Sequence, residues 1–143
     1  MNAIVDLSVI VGEARLSDPA VVAEIDAWVC AQPGSTPFHR PAWIMGVEAG
    51  TGQKAVMLVG RTPSGEINGV LPLTHIRSAL FGKALVGSGF AVDGGILASH
   101  RKAIAKLADA AWYQAERLGC DTLELRGGEA LGGASWQNKG CLL

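Results

Sequence analysis

The stretch AVMLVGRTPSGEINGVLPLTHIR, residues 55–77, decides the fold class. Two runs rich in Val, Leu and Ile flank TPSGE, where Pro63 and Gly65 stand where a tight turn needs them. The pattern predicts a hairpin of two antiparallel strands. Pro72 has no N–H to give to a ladder, so the second strand is expected at a sheet edge or bulged at that point. Leu71, Leu73, His75 and Arg77 share parity, and in a regular strand all four point to one face, with the polar pair ending an apolar row.

Upstream, AIVDLSVIVGEARL (residues 3–16) reads as a strand, with a bulge where the alternation slips. SDPAVVAEIDAWVCAQPG (17–34) is predicted to be a helix, capped by Asp18, opened by Pro19, striped by Val22, Ile25 and Val29, and stopped at Pro33 and Gly34. HRPAWIMGVEAGTG (39–52) gives a shorter helix from Pro41 to Gly50 or Gly52. Downstream, LVGSGFAVDGGILAS (85–99) sets Gly87, Gly89, Gly94 and Gly95 between an apolar run and a helical one. A phosphate-binding loop is one way to use such glycines, because backbone amides and a helix N-terminus together favour an anion. The spacing argues against it. A dinucleotide fingerprint needs glycine at Val92, and a P-loop needs Lys and then Ser or Thr where Gly95 and Ile96 stand. Turns and bulges beside a sheet are the preferred reading. The longest helix follows, from near Ser99 to Gly119, with Ile104, Leu107, Ala108, Ala111, Ala115 and Leu118 as its buried stripe. CDTLELRG (120–127) reads as a last strand, and residues 128–143 as an irregular tail.

The expected fold is therefore α/β in the α+β sense: a mixed, mainly antiparallel sheet flanked by helices, with one domain over residues 1–127. The 143 residues are 49% hydrophobic and 17% charged, enough for a real core. A net charge of −1 exerts no global pull on nucleic acid. No apolar run reaches the roughly 18 residues of a membrane helix, and Asp6 interrupts the short apolar start, so a cytoplasmic protein is expected. Cys30, Cys120 and Cys141 are odd in number and widely spaced, which suggests neither a disulfide framework nor a zinc site. No metal is expected. Trp28 and Trp112 fall in or beside helical apolar stripes and Trp43 belongs to a helix start; all three are read as core, and Trp136 is left open.

Three segments taken together resemble a known family: TPFHRPAWIMGVEAG (36–50), GEINGVLPLTHIRSALFGKALVGSGFAVDGGILA (65–98) and AERLGCDTLELRG (115–127). The sequence resembles the Fem-type (FemAB) proteins, especially those linked to bacterial exosortase and exopolysaccharide loci. Its most specific pieces are FHRPAW, LPLTHIRSALFG and DGGILA. The resemblance implies a GNAT-like acyltransferase fold of which this chain matches the first of two halves. It implies transfer of an activated acyl or aminoacyl group to an amine in envelope or exopolysaccharide assembly, with aminoacyl-tRNA as the donor in many members. Acetyl-CoA is disfavoured, because the Arg or Gln followed by G-x-G or G-x-A of ordinary GNAT enzymes is not matched. No cofactor is otherwise implied. The implied partners are a second FemAB half or a second copy of the chain, with tRNA or a lipid-linked precursor as substrate. The family usually carries an aromatic residue where Asp93 stands. The alternative is a catalytically silent GNAT-like binding or dimerisation module.

Amide formation from an ester needs a neutral amine, a proton acceptor and donors for the developing oxyanion. His75 and Arg77, at the end of their strand, are the candidate catalytic pair; the plain alternative is a strand end in solvent. Substrate-binding candidates are His39, Asp93, Lys102 and Lys106. His39 also suits pinning its loop, and Asp93 suits an Asx turn. Arg101, Lys102 and Lys106 crowd the first half of a helix, where the dipole disfavours positive charge. An anion would relieve them, although a solvated helix face needs no ligand.

Overall fold

The computed structural model describes residues 8–80 and 82–127, so residues 128–143, with Trp136 and Cys141, and the start of the first expected strand lie outside it. Along the chain run β1 (Ile10–Glu13), α1 (Pro19–Ala31), a 3-10 turn (Pro37–His39), α2 (Pro41–Thr51), β2 (Lys54–Arg61), β3 (Ile67–Ser78), β4 (Gly82–Gly87), β5 (Leu97–Ala98), α3 (Arg101–Arg117) and β6 (Thr122–Glu124). The strand order is β1-β2-β3-β4-β6, with β5 beside β3. All pairings are antiparallel except β4 with β6, which are parallel.

Local chemistry accounts for the helices. Asp18 Oδ1 accepts the Ala20 amide at 2.9 Å and Pro19 fills the first turn of α1. Pro41 opens α2, and Gly52 closes it in the left-handed region at φ 74°. His100 caps α3 by accepting the Ala103 amide on Nδ1 at 3.2 Å.

Strand alternation divides the core into two layers. Ala55, Met57, Val59 and Val70 meet Ile25, Val29 and Ile44 of α1 and α2 on one face. Val56, Leu58, Leu71, Leu73 and Leu85 meet Leu107, Ala111 and Ala115 of α3 on the other. Gly69 lets α3 sit close: a Cβ there would come 2.7 Å from Leu107 Cδ1 and 3.1 Å from the Ala98 Cβ. Trp28 and Trp43 are partly buried against the first layer, and Trp112 is half-buried on α3.

Pro72 corrects one expectation: β3 is a central strand, not an edge. The irregularity lies in its neighbour. Gly87 faces Leu73, so unbroken register would place Phe90 opposite Val70; Leu97 stands there, seven residues further on. β4 and β5 are one strand interrupted by an excursion. The Pro72 carbonyl accepts the Ser88 amide at 2.9 Å, and a residue's N–H points to the same side of a strand as its C=O. The missing N–H of Pro72 therefore faces the gap where the neighbouring strand leaves.

Candidate functional site

The excursion, residues 88–96, contains the glycine-rich segment; its first leg is tied to Phe38 and Trp43 on the α1/α2 side of the sheet, while Ile96 packs against the α3-face core. Ser88 at its root is buried, and its hydroxyl sits between the Phe38 carbonyl at 2.6 Å and the Gly94 carbonyl at 3.2 Å. Thr74, from the same face of β3, accepts the Gly89 amide on Oγ1 at 3.1 Å. Trp43 Nε1 donates to the Gly89 carbonyl at 3.0 Å, and its ring meets Phe38 edge-on at 4.8 Å. Arg126 Nη1, just beyond β6, donates to the Ala91 carbonyl at 2.7 Å. Gly94 is required by two constraints at once: φ is 103°, and a Cβ would meet the Ser88 side chain at 2.5 Å. Ser88 and Phe90 also adopt positive φ, 42° and 64°, a conformation costly for non-glycine residues. The tethers hold this strain in place and present Phe90 and Val92 to solvent.

Two of the sequence candidates meet here. His39 is buried, with the Thr36 amide donating to Nδ1 at 3.0 Å, so the ring proton sits on Nε2. Burial lowers its pKa, while the Asp93 carboxylate and a hydrogen bond with the Gly95 backbone pull it back in part. His39 thereby links the 3-10 turn to the far leg of the excursion. Asp93 is half-buried and accepts the Gly94 amide at 2.7 Å. The loop does not cradle a phosphate with its Ser88, Gly89, Ala91 and Gly94 amides, since all four donate within the protein.

The other candidates lie elsewhere. His75 and Arg77 share the α3 face with Leu71 and Leu73, as their parity requires, so the sheet separates them from His39 and Asp93. His75 is 6% exposed, and its Nε2 has no hydrogen-bond partner among the described residues. Burial lowers its pKa, and the Arg77 and Lys83 charges lower it further. Lys102 and Lys106 are exposed on the first half of α3. The other end of that helix lies beside Lys83, whose Nζ would be 4.0 Å from a Cβ on Gly119, so roughly 20 Å of helix separates them from the His75 corner. Among the described residues, no three His, Cys, Asp or Glu side chains gather as a metal ion would need, and no helix is long and apolar enough to cross a membrane.

Sequence reasoning did not single out Ser88, Thr74 or Arg126. Thr74 could have been found, because its parity with Val70 and Pro72 puts a hydroxyl beside apolar neighbours on that face. Ser88 carries no such signal, since its carbonyl partners are 50 and 6 residues away.

No family model matches the sequence, and no curated protein matches it. Solved structures do. The chain is 15% identical to a GNAT family acetyltransferase from Staphylococcus aureus, over 94% of this chain and 100% of that one, with a TM-score of 0.55. It is 18% identical to a ribosomal-protein-alanine N-acetyltransferase from Brucella melitensis, over 95% and 100%, with a TM-score of 0.56. This chain has the GNAT fold. The likeness extends to a glucosamine-6-phosphate N-acetyltransferase from Arabidopsis thaliana, 14% identical over 95% of this chain and 96% of that one, with a TM-score of 0.56. Within this GNAT-like sheet, the parallel β4–β6 pair and the excursion from β4 mark the candidate site.

Proposed function

We propose that the chain is an acyltransferase-type domain whose substrates meet outside the C-terminal ends of β4 and β6, against the excursion loop. The observation that carries this reading is the parallel β4–β6 pair with the tethered excursion beside it, since open α/β sheets bind ligands beyond the carboxyl ends of their parallel strands. The GNAT-like fold supports acyl transfer as the chemistry. The Fem-type resemblance supports its finer form, in which an amine nitrogen attacks an aminoacyl ester carbonyl, an amide forms, the alcohol leaves and the amine gives up a proton. In this reading Asp93 orients the amine and His39 positions the loop through its two ring nitrogens. The cell envelope is the setting that the resemblance supports, with a second half or a second copy as partner.

A specific observation favours a second reading as a silent binding module: the polar groups at the root of the loop are engaged with one another. One assay separates the two. The chain is incubated with aminoacyl-tRNA or acetyl-CoA and a panel of small amines, and amide products are read by mass. Product that falls at least tenfold in Asp93→Asn, with the melting temperature unchanged, supports transfer. No product from either donor, alone or with a separately expressed second half from a full-length Fem-type protein, leaves the binding module.

A further inference from the structure

The α3 face of the sheet ends in a corner that acyl transfer at the loop does not use. Register places Lys54 directly opposite His75, His75 opposite Leu85, and Arg77 opposite Lys83. Strands stand about 4.8 Å apart and residues about 3.4 Å along them, so the three cations belong to three adjacent strands with their backbones within roughly 12 Å. Like charges directly opposite each other on a sheet repel. Lys54, Arg77 and Lys83 are all exposed, and none is in an ion pair among the described residues. On the same face, opposite Lys54, His75 is more than nine-tenths buried, and its Nε2 has no partner among the described residues.

The neighbouring elements offset part of this charge: the carbonyl end of α3 lies beside Lys83 Nζ, and Glu48 Oε2 accepts the Ala55 amide next to Lys54 at 2.6 Å. Asp121, before β6, brings Oδ2 to 3.3 Å from the Lys83 amide. Arg117 at the end of α3 is already paired with Glu13 at 3.7 Å. Gln53 is neutral and holds the Arg77 backbone at 2.9 and 3.3 Å. Cys120 is half-buried, and its thiol pKa is pushed up by burial, so it brings no negative charge at neutral pH.

We propose that this corner binds the phosphoryl group of a small phosphate monoester, with Lys54, Arg77 and Lys83 supplying charge and His75 a donor. A phosphate anion matches a corner in which three cations outnumber the two carboxylates beside them, Asp121 and Glu48. It would also give the buried Nε2 the partner that the described residues do not. The site is independent of the loop tied to the opposite face.

The test uses the full chain with inorganic phosphate, glycerol 3-phosphate, sulfate and a short single-stranded oligonucleotide, each against sodium chloride at equal ionic strength. Binding is read by thermal shift and by amide chemical shifts. The expected result is saturable binding of phosphate and glycerol 3-phosphate, with shifts confined to residues around 54, 75–77 and 83. Arg77→Gln or Lys83→Gln should weaken it about tenfold each, the scale of one lost charge-assisted hydrogen bond. Sulfate does not titrate in this range, so its affinity should rise as pH falls from 7.5 to 5.5, and His75→Gln should flatten that rise. Binding no better than chloride overturns the proposal, as does equal binding in Arg77→Gln. Binding of the oligonucleotide alone overturns the small-molecule assignment. A flat sulfate profile in the unsubstituted chain removes His75 from the site.

Discussion

Single residues set the shape of the loop. The Ser88 hydroxyl lies between two carbonyls in a buried setting, with the shorter contact to Phe38, and its removal takes away the one proton they share. Ser88→Ala should therefore cost about 1–3 kcal/mol, read as a lower midpoint in urea with an unchanged slope. Ser88→Gly loses the same hydroxyl but relieves the positive φ, so it should cost less than Ser88→Ala. A larger loss in the glycine variant would mean that the strain at Ser88 is not what the backbone angle implies. Gly69 is limiting for a different reason: Gly69→Ala drives a methyl into Leu107 and Ala98, and overpacking of this kind costs roughly 1–3 kcal/mol.

At the scale of elements, α3 carries a conflict at its start. His100 caps it, yet Arg101 and Lys102 sit in its first turn with no acidic residue beside them. The dipole at a helix N-terminus favours the opposite sign. His100→Asp should raise stability by about 0.5–1 kcal/mol, and His100→Ala should lower it by about 1 kcal/mol, both read as melting temperatures at low salt. Loss of the aspartate's advantage at high salt would identify the dipole as its source. The hairpin of β2 and β3 was legible because it rests on local alternation and a turn with Pro63 and Gly65. The three helices were legible for the same reason, including the cap at Asp18. Pro72 is an obstacle to a ladder, as its missing N–H requires, but the irregularity it predicts stands elsewhere. Its own strand is regular at that point, and the seven extra residues belong to the strand that faces it.

Across the whole molecule, two buried histidines couple stability to pH. Burial is the largest influence on both His39 and His75, and it holds their folded pKa values below the ordinary value of about 6.5. The unfolded chain then binds more protons than the folded one between those folded values and about 6.5, so stability rises with pH across that window. Acidification from pH 7.5 to 5.5 should lower the melting temperature, and His39→Gln with His75→Gln should remove most of the slope. Carboxylates paired with arginine, Glu24 and Asp26, are held below their ordinary range and affect stability only at lower pH. A slope that persists in the double variant would place the titration elsewhere.

The chain's own order of residues determined what local physics can determine: where helices begin and end, which side chains share a strand face, and that His75 and Arg77 sit together beyond Leu71 and Leu73. These follow from periodicity and backbone restrictions that act within a few residues. Only the tertiary structure decided which face of the sheet each cluster meets, that β3 is central, and that the glycines serve an excursion from a strand instead of a phosphate cradle. It also decided that His39 and Asp93 come together on one side of the sheet while His75 and Arg77 lie on the α3 face. Those outcomes depend on register between strands and on contacts such as Ser88 with Phe38, 50 residues apart, which no local pattern encodes.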